Sequence, residues 1–149
     1  MKQPFFHKRF WGVPLVLLFY LFLAGCSRPG SLVVEDAWAR PGNVGGNSAV
    51  YFVIDNPESQ DDTLLDASTG IARQVELHRS TLSDDSTMSM HHQETIPVPA
   101  RDRIVFEPGG LHAMLVDLSV DLKAGDTFPF TLRFQTAGEI ELEVAVKEE

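Results

Sequence analysis

The chain has 149 residues, 12 of them basic and 21 acidic, for a formal charge of −9. An acidic balance of this size argues against nucleic acid as a partner and against docking on anionic lipid by charge, while cations and basic proteins stay compatible with it. Cys26 is the only cysteine, which excludes a disulfide scaffold, so stability must come from a core of the size that about 120 residues can build as one domain.

In chain order, Lys2, Lys8 and Arg9 precede the apolar run VPLVLLFYLFLAG, and no acidic residue comes before Glu35. This is the layout of a secretory signal, with an apolar segment too short for a stable span. It ends in LAGC, Leu23 to Cys26, which resembles the bacterial lipoprotein box, where the cysteine is lipidated and becomes the first residue. The expected organisation is a signal peptide over 1–25, a lipidated tether over 26–30 and one β domain over 31–149. Nine basic and all 21 acidic residues lie beyond the signal, so the mature formal charge is −12. Ser27 stands where an aspartate commonly marks inner-membrane retention, which leans the expected address toward the periplasmic side of an outer membrane.

Beyond the tether the pattern has period two or short apolar runs, broken by turn residues about every ten positions. SLVVEDAWA, NSAVYFVIDN, ARQVELHRS, DRIVFE, HAMLVDL, DTFPFTLRFQT and EIELEVAVK read as strands. RPGNVGGN, NPESQDD, STLSDDS, EPGG, LKAGD and TAGE separate them. The last two strands form a hairpin around Ala137-Gly138, with Leu132 and Phe134 facing Ile140, Leu142 and Val144. No stretch carries an apolar stripe at helical spacing. The fold class is therefore all-β, a Greek-key sandwich or barrel. Trp38 is expected in the core and Arg40 on the surface. Asp61-Asp62 and Asp84-Asp85 lack the spaced oxygen ligands of a calcium loop and are expected as solvated turn residues.

Chemistry concentrates between positions 78 and 114. Apart from Met1 and His7 in the signal, every methionine and histidine falls there: His78, Met88, Met90, His91, His92, His112 and Met114. Methionine used as core filler would be spread through the domain. In a strand, side chains at i and i+2 share a face about 7 Å apart, so His112 and Met114 can grip one ion. His78 near the end of a strand, and Met90 in the acidic, turn-like loop after it, complete a candidate set. Met88 and Met90 share a face if that loop is extended, and spacing leaves open which one reaches the metal. A thioether is soft, neutral and without a proton to lose; together with imidazole it selects copper, Cu(I) in particular. Acid should weaken such a site from the ordinary imidazole pKa of about 6.5 downward.

The spacing from His78 to Met90 to His112-x-Met114 resembles the H(M)-x10-M-x21-H-x-M signature of the periplasmic PCuAC copper chaperones. DAWARP, AVYFVIDN, VELH, MSMHH, PGGLHAMLVDL, LKAGDTFPFTLRF and AGEIELEVAV are similar to that family as well, over residues 34–146. The resemblance implies a cupredoxin-like β-barrel that binds Cu(I) through His78, Met90, His112 and Met114 and passes it on without catalysis. The implied recipient is the copper subunit of a respiratory haem-copper oxidase, in cooperation with a thiol-bearing assembly chaperone. Two features depart from the pattern. Arg79 occupies the optional methionine position after the first histidine, and the sequence closes on VKEE rather than on a Met- and His-rich tail for Cu(II). Met88, His91 and His92 form an expected auxiliary set, open to Cu(II). Competing readings are copper sequestration or tolerance, a copper-dependent redox enzyme, and an adhesion or assembly lipoprotein without metal. A blue-copper electron carrier needs a Cys thiolate that the domain lacks.

Overall fold

The structure, a computed structural model, describes residues 32–83 and 87–148. The expected signal peptide, the lipidation site Cys26, the tether, and Asp84-Asp85 lie outside the described residues. Among the described residues there are ten strands and no helix: β1 (Val33–Ala39), β2 (Ser48–Asn56), β3 (Asp62–Ser68), β4 (Ala72–Leu82), β5 (Met88–His92), β6 (Ile96–Val98), β7 (Asp102–Phe106), β8 (Leu111–Leu118), β9 (Thr127–Phe134) and β10 (Glu139–Val146). The all-β expectation holds, and all seven expected strands are present.

The strands hydrogen-bond in the order β5-β4-β8-β7-β2-β1-β10-β9-β3-β6, with β8 also paired to β2. β3 packs against β4 and β6 against β7, so the sheet turns over on itself and encloses one core. Period-two alternation supplies that core. In β9, Phe128, Phe130, Leu132 and Phe134 are buried while the residues between them face outward. Their β10 partners Ile140, Leu142 and Val144 pack on the same cluster, as the hairpin expectation required, and Gly138 takes the positive φ of 81° at its turn. Phe52 of β2 stacks on Phe106 at 4.1 Å between ring centroids and meets Phe130 at 6.3 Å.

Several expectations are corrected. β3, β5 and β6 were not among the expected strands, and Met90 sits in β5 rather than in a loop. Asp62 is not a solvated turn residue: it is buried, Oδ1 accepts the backbone N–H groups of Thr63 and Thr136, and Oδ2 accepts that of Ala137. A carboxylate that satisfies three backbone donors ties the start of β3 to the β9–β10 turn. Asp61 accepts the N–H of Ala100. Trp38 is half-buried rather than in the core, packed on Tyr51 at 4.7 Å between centroids, and Arg40 lies over the same Tyr51 ring, 5.5 Å from its centroid.

Candidate metal centre

Cross-strand register builds the site. β4 is the middle of three strands, antiparallel to β8 on one side and to the edge strand β5 on the other. His78 lies opposite His112 of β8 and opposite His92 of β5, so three histidines form a row across the sheet. One step along, Ser80 faces Met90, and two steps along, Leu82 faces Met88; one step back, Glu76 faces Met114. Directly opposed residues share a face, so His78, His92, His112, Met88, Met90 and Met114 all project to one side of the sheet. His91 pairs with Arg79 and projects to the other side.

Met88, Met90, His112 and Met114 line one open cavity of about 300 Å³, whose far wall includes Arg40 and Tyr51. His78 does not line it; half-buried, it meets His112 edge-on, 5.8 Å between centroids, and His92 edge-on at 5.6 Å. The expected auxiliary set is therefore split three ways. Met88 joins the thioether cavity, His92 joins the histidine row, and His91 faces away from both.

The GGLHAML segment explains how β8 presents its donors. Gly109 takes a φ of 78°, which turns the chain out of β7. The Gly110 carbonyl then accepts both the N–H of Ser80, at 3.0 Å, and Nδ1–H of His112, at 3.1 Å. A carbonyl can only accept, so the proton of a neutral His112 is on Nδ1 and the Nε2 lone pair remains for a ligand. His78 has the opposite arrangement. Its Nε2 lies 3.0 Å from Glu76 Oε2, while its buried Nδ1 has no hydrogen-bond partner among the described residues. Glu76 is itself steadied by Gln74, whose Nε2 donates to Oε1. Each ring thus has one nitrogen fixed by the protein and one left with a lone pair.

Burial holds the His112 pKa below the usual imidazole value; the nearby His78 and Arg40 push it the same way, against the Gly110 hydrogen bond, which raises it. The expectation of weakening from pH 6.5 is shifted accordingly, because His112 stays neutral to lower pH than a free imidazole. Between its folded pKa and 6.5 the unfolded chain binds more protons, so the His112 contribution to stability is complete above 6.5 and is lost as pH falls through the folded value. A proton-NMR titration of the metal-free chain should place the His112 midpoint below 6.5; a midpoint at or above 6.5 would contradict this account of the pocket.

Sequence reasoning did not find Glu76, Tyr51 and Arg40. Nothing in their local pattern marks them, since they reach the site only through strand register.

Comparison with known proteins agrees with the fold. Protein RP573 of Rickettsia prowazekii (strain Madrid E) is 35% identical over 102 residues, 65% of this chain, and the match spans 56% of that protein's length. The copper-bound PCuAC domain from PmoF2 superposes with a TM-score of 0.68 at 26% identity, covering 80% of this chain and 95% of that one. The Cu(I) form of DR1885 from Deinococcus radiodurans superposes with a TM-score of 0.59 at 27% identity, over 85% of this chain and 84% of that one. The cupredoxin-like PCuAC resemblance read from the sequence is borne out. Residues 32–146 match a family model described as "Putative lipoprotein LpqE-like". With nearly all of the described residues inside that match, the chain belongs to the LpqE-like lipoprotein family.

Proposed function

We propose that the chain is an extracytoplasmic carrier of Cu(I), anchored to a membrane by a lipid on Cys26, that binds the ion through His78, Met90, His112 and Met114. The observation that carries this reading is the single cavity in which three methionines meet a buried histidine. Three thioethers on one polar face are a poor set for zinc, calcium or magnesium and a good one for Cu(I). The copper-bound PCuAC domain from PmoF2 and the Cu(I) form of DR1885, whose folds this chain shares, support the same choice.

The arrangement suits release as well as capture. His112 is 5% exposed, whereas Met90 is 53% and Met88 64% exposed on an edge strand. A partner's thiolate or imidazole can displace the outer thioether first while His112 still holds the ion, so copper passes by ligand exchange and is never free. The recipient in this reading is a copper-receiving protein such as the copper subunit of a respiratory haem-copper oxidase, or a thiol-bearing chaperone that serves it. Open, exposed thioethers favour delivery over storage. No catalytic step is required.

The choice between the two exposed methionines is tested by competition with a chromophoric Cu(I) chelator. Met90→Leu should weaken binding about tenfold, worth about 1.4 kcal/mol, and Met88→Leu less than about threefold. The reverse order would move the ligand to Met88. No effect of either change would remove β5 from the site.

A further inference from the structure

Beside the thioether cavity, Glu76, His78 and His92 offer a donor set of different character. One ligand atom from each lies within 4.8 Å of the others, and His78 Nε2 is 3.0 Å from Glu76 Oε2. Register makes the cluster: Glu76 and His78 are two apart on β4 and share a face, and His92 stands directly opposite His78 on β5. Gln74 donates to the second oxygen of Glu76 and keeps the carboxylate aimed. Two imidazole nitrogens and a carboxylate oxygen, with no sulfur, suit a divalent first-row ion and not Cu(I). The carboxylate also offsets part of a double charge, which the neutral donors of the cavity cannot do. A tetrahedral ion with bonds of about 2.0–2.1 Å needs its ligand atoms roughly 3.3 Å apart. The cluster must therefore tighten modestly, and exposed His92 on the edge strand is the member able to swing inward.

We propose that Glu76, His78 and His92 form a binding site for one divalent, nitrogen- and oxygen-seeking cation such as Cu(II) or Zn(II), and that it shares His78 with the Cu(I) set, so the two ions exclude each other. A neutral imidazole that gives one nitrogen to a metal keeps its proton on the other and cannot serve a second ion. The divalent site stands on its own geometry; the exclusion rests on the Cu(I) reading above. Divalent binding at Nε2 takes the place of the proton between His78 and Glu76, and that proton moves to Nδ1, so the ring stays neutral and has no second lone pair to offer Cu(I). The two oxidation states of copper are thereby sorted by donor type, nitrogen and oxygen in this cluster and sulfur in the cavity beside it.

Zinc, which does not change oxidation state, is the probe. The full chain, purified metal-free in detergent, is titrated with Zn(II) against a chromophoric zinc chelator, as wild type and as His92→Ala, with and without one equivalent of Cu(I) under anaerobic conditions. The expected result is one equivalent of zinc. His92→Ala should weaken its binding at least about tenfold and leave Cu(I) affinity within about twofold, and prior Cu(I) loading should weaken zinc at least about tenfold. Absence of stoichiometric zinc binding, or zinc affinity indifferent to His92→Ala, overturns the site. Undiminished zinc binding to the Cu(I)-loaded chain overturns the sharing of His78. Zinc binding by a chain that takes up no Cu(I) supports the cluster and overturns the carrier reading instead, so the two failures are distinguishable.

Discussion

Replacing His112 by alanine should weaken Cu(I) binding at least about 100-fold, or about 2.7 kcal/mol, in competition with a chromophoric chelator. Changes to groups that merely orient a metal ligand cost about 10–100-fold, and loss of the ligand itself should reach or exceed the top of that range. In the proposed site, His112 is the donor least able to be replaced. It is buried, it lines the cavity, and the Gly110 carbonyl fixes its tautomer so that Nε2 is the free nitrogen. Water cannot easily take its place at 5% exposure. Met114→Leu should cost less, on the order of tenfold, because Met88 and Met90 line the same cavity and can shift to cover for one lost thioether. A His112→Ala chain that keeps its folded circular dichroism and wild-type affinity would contradict the site.

The second large effect concerns the frame. Phe52→Ala should destabilise the metal-free chain by about 3–5 kcal/mol, the usual cost of emptying a buried phenylalanine site. Phe52 is 1% exposed and touches rings from two other strands, Phe106 of β7 and Phe130 of β9. No neighbour can collapse into the space without giving up one of those contacts, so the cavity persists. For a domain of this size the melting temperature should fall by roughly 15–25 °C. The consequence reaches the site, because β2 pairs with β8 at Ala49–Met114 and carries Tyr51 beside His112. A loss below about 1 kcal/mol in chemical denaturation would mean that the core repacks more freely than this geometry allows.

Much of the fold was legible because half-buried strands alternate, and β9 and β10 alternate almost without interruption. The three strands that escaped have physical reasons to do so. In β3 the register shifts between Leu64 and Asp66, which breaks the period-two pattern. β6 is three residues long and holds Pro97, a residue that normally argues against a strand and is tolerated here at the sheet's edge. β5 reads MSMHH, has no buried residue, and owes its extended form to pairing with β4 rather than to its own side chains.

The placement of the candidate site residues was legible in part. His112 and Met114 show themselves through i, i+2 spacing on one strand, which is local information. The contribution of Glu76 depends on being two residues from His78 and facing Met114 across the strands, and that of Tyr51 on the β2–β8 pairing. Cross-strand neighbours are set by register, which a single sequence does not display. The same register decides that Met88 and Met90 share the face of His92 while His91 turns away.

The most direct test of the copper site is X-ray absorption at the copper edge on the full chain loaded anaerobically with one equivalent of Cu(I). The account predicts monovalent copper with both sulfur and imidazole nitrogen in its first shell, and loss of the imidazole pattern in part on His112→Ala. A first shell of nitrogen and oxygen alone, or copper that does not stay with the chain, would contradict it.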